Sequence, residues 1–242
     1  DKIKFGGIMI YEKGFTVYDF LCKNGELTLK NIINYFIETS NLHSLSVGLS
    51  SRELMENNYT WMIYKWRIKI LKYPKVFDKI KVKTWASGFK GLNAEREFEM
   101  YLDDEKIAYA SSIFLLIELN KRKPVVIPEY FAERFGIKEE KYFEKIKRIN
   151  LKKDEKVLNE ANYKIMKRDI DINNHVNNSI YAELLFESLP EIYSEIKFSE
   201  ININYMKELV LGDRVVIDVY LEKDEFYFFF RNEDSSEMYA RI

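Results

Sequence analysis

The sequence predicts an α+β protein built from two tandem domains, each a long helix wrapped by an antiparallel β-sheet. Three observations carry that expectation: two strand-like blocks repeat in phase 135 residues apart, a helical stripe precedes each block, and a lysine- and glutamate-rich segment lies between the two sets. The chain has 242 residues, and because domains commonly run to roughly 100–200 residues, it can hold one large domain or two modest ones. The repeat selects two.

The first helix starts near Thr28 and runs into the forties, because Leu29, Ile32, Ile33, Phe36 and Ile37 fall on one face at the helical period. In the block 67–85 that follows, Ile68, Ile70, Ile80, Val82 and Thr84 alternate with polar or bulky neighbours, as a strand pair with one buried face requires. The segments 93–102 and 106–119 read as further strands. From 128 to 156 the chain is rich in Lys and Glu; Pro128 suits the first position of a helix and Gly136 a C-terminal cap, and the whole stretch reads as a connector. The domains are therefore expected at 1–127 and 157–242.

In the second half Ile180, Tyr181, Leu184, Leu185 and Ser188 make a shorter helical stripe that Pro190 stops. Ile203, Tyr205, Val215, Ile217 and Val219 then alternate across 203–220, with Asp213 matching Asp78 and Lys207 matching Lys72 in one frame. The segments 224–232 and 236–242 complete the strand set.

Composition narrows the function. Lys and Arg total 38 against 39 Asp and Glu, a formal charge of −1, so no global field recruits nucleic acid or an anionic membrane. Cys22 is the sole cysteine and His43 and His175 the only histidines, which excludes an internal disulfide and argues against a Cys/His metal site. A reducing, cytoplasmic setting is expected. The apolar runs IFLLI and FYFFF are far shorter than the roughly 20 residues a membrane helix needs.

The stretch DINNHVNNSIY, 171–181, crowds four asparagines around His175. Asparagine favours turns and helix N-caps, where its side chain satisfies free backbone N–H groups, so Asn177 or Asn178 is expected to cap the helix that follows. Capping leaves His175 unexplained. A histidine just before a helix N-terminus, among amide donors, suits chemistry on a carbonyl, because the helix end and the amides stabilise an oxyanion. Asp171 is the candidate partner that orients it.

Asp171, Asn173, His175, Val176, Asn177 and Asn178, followed by Tyr181, form a segment that resembles the Asp-x-Asn-x-His-Val-Asn-Asn motif of acyl-acyl carrier protein thioesterases. The resemblance covers nearly the whole chain. It implies two fused hot-dog domains and the release of free fatty acid from acyl carrier protein, with no cofactor. Tyr205-Met206-Lys207-Glu208 is similar to the family's downstream Tyr-x-x-Glu segment, so the resemblance implies Asp171, Asn173, His175 and Glu208 as the catalytic set. Plant members carry a cysteine after that glutamate; Leu209 stands here, and no thiol route runs through it.

In the repeat frame Glu208 falls on Tyr73, and no Asn-x-His precedes the first helix, so the first domain is expected to shape the acyl pocket while the second does the chemistry. His43 reads as a structural histidine. Acyl carrier protein is acidic, so Lys121, Arg122 and Lys123, or the basic run 145–153, are expected to dock it. A coenzyme A thioesterase and a non-catalytic acyl-binding hot-dog protein are the alternatives. Chain-length preference and oligomeric state, including a homodimer, are not legible.

Overall fold

The computed structural model describes residues 10–150, 156–171 and 174–242, and the chain divides into two compact units, Asp1–Ile146 and Lys147–Ile242.

In the first unit, β1 (Tyr11–Thr16) leads through a single 3-10 turn at Asp19–Leu21 into the small hairpin of β2 (Cys22–Lys23) and β3 (Glu26–Leu27). Asn24 and Gly25, both at positive φ, make its two-residue turn. Thr28 then caps α1 (Leu29–Ser46), its hydroxyl accepting the Asn31 N–H. The short α2 (Ser51–Glu56) opens on a capping box between Ser50 and Glu53. Five more strands follow, β4 (Tyr59–Ile70), β5 (Lys79–Lys90), β6 (Asn93–Leu102), β7 (Glu105–Glu118) and β8 (Lys123–Val125), then α3 (Glu129–Phe135). Within this unit the antiparallel strands run in the order β1-β5-β6-β7-β4, and β8 pairs with the end of β7 beyond the reach of β6.

The alternating residues of 67–85 are all buried, and α1 lies on that face: Phe36, Trp66 and Phe98 form a triangle with ring centroids 4.9 to 6.1 Å apart. Burial of such side chains contributes about 1.5–3 kcal/mol each. β4 begins eight residues earlier than the alternation indicates, because a bulge between Ile63 and Lys65 breaks the period of two.

Residues 128–146 belong to the first unit rather than standing apart as a connector. Phe131 and Phe135 of α3 enter a cluster with Leu54, Ala86 and Leu116, and Gly136 caps α3 at φ 62°. Beyond it the chain lies on the sheet's other face. Trp85 Nε1 donates to the Glu140 carbonyl at 3.0 Å, Lys138 sits over the Trp85 ring, and Tyr142 stacks on Tyr109. The charged composition concealed these contacts.

The second unit repeats the plan with fewer residues. β9 (Asn159–Lys164) leads through a 3-10 turn at Lys167–Asp169 to α4 (Ile180–Glu187), a further 3-10 turn at Glu191–Tyr193, and then β10 (Glu200–Tyr205), β11 (Arg214–Glu222), β12 (Glu225–Arg231) and β13 (Met238–Arg241). Its strands run β10-β13-β12-β11-β9. Its helix has eight residues against eighteen in α1, ending before Pro190. Ile203, Tyr205, Val215, Ile217 and Val219 are buried, as their alternation requires. No helix among the described residues is long and apolar enough to cross a membrane.

Candidate active site

His175 reaches its position through three local restraints. Asp171 N–H donates to the His175 carbonyl at 2.8 Å, and Ile170 bridges Val176. His175 N–H in turn points at Asp171 Oδ1, 3.4 Å away, and Asn174 takes the turn's left-handed position at φ 63°. Finally, Val176 N–H donates to the Leu209 carbonyl at 2.9 Å, and His175 bridges Val210. The histidine loop is thereby zipped to the segment that carries Glu208.

The result is a short contact: His175 Nε2 lies 3.1 Å from Glu208 Oε2. The imidazole side chain is 25% exposed and the carboxylate 46%, so the pair sits at a surface that water and a substrate can reach. Of the four residues singled out from sequence, Asp171, His175 and Glu208 are brought together; Asn173 lies outside the described residues. Leu209, where plant members carry cysteine, is buried and turned away into the core.

Neither Asn177 nor Asn178 caps α4: its N-cap is Ser179, which makes no side-chain cap bond, and Asn177 instead closes the turn just before the helix. Asn177 Oδ1 accepts both the N–H and the hydroxyl of Ser179 at 3.0 Å, and its own N–H donates to the Asp169 carbonyl. Two residues named in the sequence only for their strand and repeat positions support the site. Tyr205, buried at the end of β10, donates its hydroxyl to the Asn178 carbonyl at 2.8 Å, tying the turn before α4 to the strand that leads to Glu208. Asp213 accepts the Val210 N–H at 3.0 Å and so fixes the residue that bridges His175. The match of Asp213 to Asp78 was the available signal for the second. Burial drives the Tyr181 hydroxyl well above its ordinary pKa, with the nearby Glu208 charge adding to it, so a neutral phenol lies beneath the site.

A cluster of His, Cys, Asp and Glu able to hold a metal ion does not occur among the described residues. His43, the other histidine, is fully buried in the first unit, its Nδ1 2.9 Å from Arg96 Nη1. Its role is packing and hydrogen bonding within that core.

Two family models match the chain in tandem: the acyl-ACP thioesterase N-terminal domain over residues 10–135 and the C-terminal domain over 152–239. The chain belongs to the acyl-ACP thioesterase family. Among its relatives, a chloroplastic acyl-[acyl-carrier-protein] hydrolase of Cuphea viscosissima is 25% identical over 198 residues, 75% of this chain and 47% of that protein. The chloroplastic oleoyl-acyl carrier protein thioesterase 2 of Arabidopsis thaliana is 24% identical over 89% of this chain and 65% of its own length. The chain thus spans about half to two thirds of these plant proteins. A crystal structure of an acyl-ACP thioesterase from Bacteroides thetaiotaomicron superposes with a TM-score of 0.85 at 27% identity, covering 96% of both chains. The 12:0-ACP thioesterase of Umbellularia californica gives 0.84 at 16% identity over 96% of this chain and 95% of that one, a likeness of fold. The fold is the tandem hot-dog fold of these thioesterases.

Proposed function

We propose that this chain hydrolyses the thioester of fatty acyl-acyl carrier protein, releasing free fatty acid and ending chain elongation. The observation that carries the proposal is the 3.1 Å contact between His175 and Glu208, held by a loop zipped to the Glu208 segment. Membership of the family and the 27% identical Bacteroides thioesterase support it.

A thioester has a good leaving group, so its hydrolysis needs mainly an activated water and a place for negative charge on the carbonyl oxygen. The Glu208 carboxylate takes a proton from water as the water oxygen bonds to the thioester carbon. His175, donating from Nε2, orients that carboxylate. Asn173 is assigned to the oxyanion and Asp171 to fixing the loop. Collapse of the tetrahedral intermediate breaks the C–S bond, and the proton held on Glu208 passes to the departing thiolate, giving the free acid and the pantetheine thiol. No thiol of the enzyme takes part.

The test is hydrolysis of a panel of acyl thioesters of varied chain length, each presented on acyl carrier protein and on coenzyme A. Faster turnover of the carrier-bound series is expected. Preference for the coenzyme A series would reassign the carrier, and an absence of hydrolysis with retained acyl binding would make the protein an acyl-binding member of the fold. The setting assigned to this activity is the cytoplasm, and the proposed partner is the acyl carrier protein.

A further inference from the structure

The geometry points to a docking surface for the acidic carrier protein on the 3-10 turn and strand end at 164–168, beside the histidine loop; this inference rests on the hydrolase function proposed above. Here Lys164, Lys167 and Arg168 project into solvent around an apolar groove of about 490 Å³ whose floor includes Ile165, with Met166 and Leu211 on its walls. Met166 is 47% and Leu211 53% exposed, large values for side chains of their kind. An apolar centre ringed by cations is the complement of an amphipathic acidic helix.

The groove shares its wall with the site. Leu211 follows Val210, which bridges His175, and Gly212 N–H donates to the Ile165 carbonyl. Asp169, the acid closest in sequence, is buried and its Oδ2 accepts the Tyr163 hydroxyl and the Met166 N–H, so it faces inward. Arg168, 78% exposed, stands 3.8 Å from its other oxygen and also bonds the Tyr163 side chain, so its charge is held at the rim of the groove.

The first unit supplies the control. Strand pairing places Thr16 opposite Lys79 and Lys164 opposite Arg214, and each strand is followed by a 3-10 turn, Asp19–Leu21 or Lys167–Asp169. Thr16, Asp19 and Phe20 therefore occupy the positions of Lys164, Lys167 and Arg168. Exposed apolar side chains are common to both surfaces, since Tyr18, Phe20 and Phe77 are exposed in the first. At these three positions cations occur only in the unit that carries His175 and Glu208. By contrast, Lys121 of the basic 120–124 turn is paired with Glu118 at 2.9 Å, and the other basic run, 145–153, extends outside the described residues.

The experiment measures binding of holo carrier protein by fluorescence anisotropy to the wild type, to Lys164→Glu/Lys167→Glu/Arg168→Glu and to Lys121→Glu/Arg122→Glu/Lys123→Glu, across ionic strength. The first variant is expected to bind at least about tenfold more weakly at low salt, with the gap closing as salt screens the charges. The ratio of kcat/KM for acyl-carrier protein over acyl-pantetheine should fall by a similar factor, through KM. Unchanged binding, equal losses on both thioesters, or a larger loss from the 121–123 variant overturns the surface. If charge reversal prevents folding, judged by circular dichroism, the triple alanine variant is read the same way. A wild type that binds carrier protein through 164–168 but hydrolyses no thioester would refute the hydrolase function and leave the surface standing.

Discussion

The two units repeat each other down to single hydrogen bonds, yet only one carries the histidine–glutamate pair. Asp78 accepts the Lys75 N–H and Asp213 the Val210 N–H; Leu27 N–H donates to the Pro74 carbonyl and Val176 N–H to the Leu209 carbonyl. Lys72 pairs with Glu105 and Lys207 with Glu237. Glu26 bridges Lys75 where His175 bridges Val210, so Glu26 and Tyr73 stand in the first unit where His175 and Glu208 stand in the second. The scaffold that aims two side chains at one point is a property of the fold. The chemistry depends on what is hung on it.

The largest expected contrast breaks the comparison at those positions. Glu208→Gln is expected to lower kcat by roughly 10²–10⁴-fold, the range typical of losing a general base, and His175→Ala to be severely impaired, with the fold intact by circular dichroism. Glu26→Gln and Tyr73→Phe should leave steady-state hydrolysis at the wild-type level. A Glu208→Gln enzyme near full activity would mean that the roles are wrongly assigned.

Next, Asp78→Ala and Asp213→Ala remove the same turn bond. Each should cost about 1 kcal/mol in denaturant unfolding. Only Asp213→Ala should also cut turnover, by roughly tenfold or more, because it releases Val210 and with it the aim of His175. Equal activity in the two variants would show that the turn does not position the site. Tyr205→Phe sharpens the point further: its counterpart 135 residues earlier is Ile70, which has no hydroxyl. Losing the bond to the Asn178 carbonyl should cost about 1 kcal/mol, with a modest fall in kcat and little change in KM. The smallest effect is expected from Lys72→Ala and Lys207→Ala, whose ion pairs are exposed in both units; neither should move Tm measurably.

Much of this was legible because it is local. Period-two alternation marked Ile68, Ile80 and Val215 as inward-facing, and the amide-rich loop identified His175 before any geometry was known. The equivalence of Glu26 and His175 was hidden by one residue. The turn between Ile170 and Val176 is longer by one than that between Cys22 and Leu27, so the helix-proximal frame slips from 148 to 149 while the strand frame holds at 135. The bulge in β4 likewise broke the alternation that should have extended that strand back to Tyr59. Residues 138–146 failed for another reason. Their charges and carbonyls meet partners some 35 to 55 positions away in sequence, as Tyr142 meets Glu97 and Glu99, and Glu140 meets Trp85, and no periodicity within the segment records that.

That segment bears on how the first half can be prepared alone. Glu97 is buried, and burial pushes its carboxyl pKa upward; its oxygens are held by the Ser87 and Ser111 hydroxyls and, at 3.1 Å, by the backbone N–H of Tyr142. A recombinant fragment cut at residue 127 loses Tyr142 as well as Phe131 and Phe135, and it bares the fully buried Trp85 together with an indole N–H that has lost the Glu140 carbonyl. Extending the fragment to Ile146 restores every one of those partners. The boundary that keeps these partners together is therefore set by a carboxylate in the middle of β6, some 50 residues upstream of the cut.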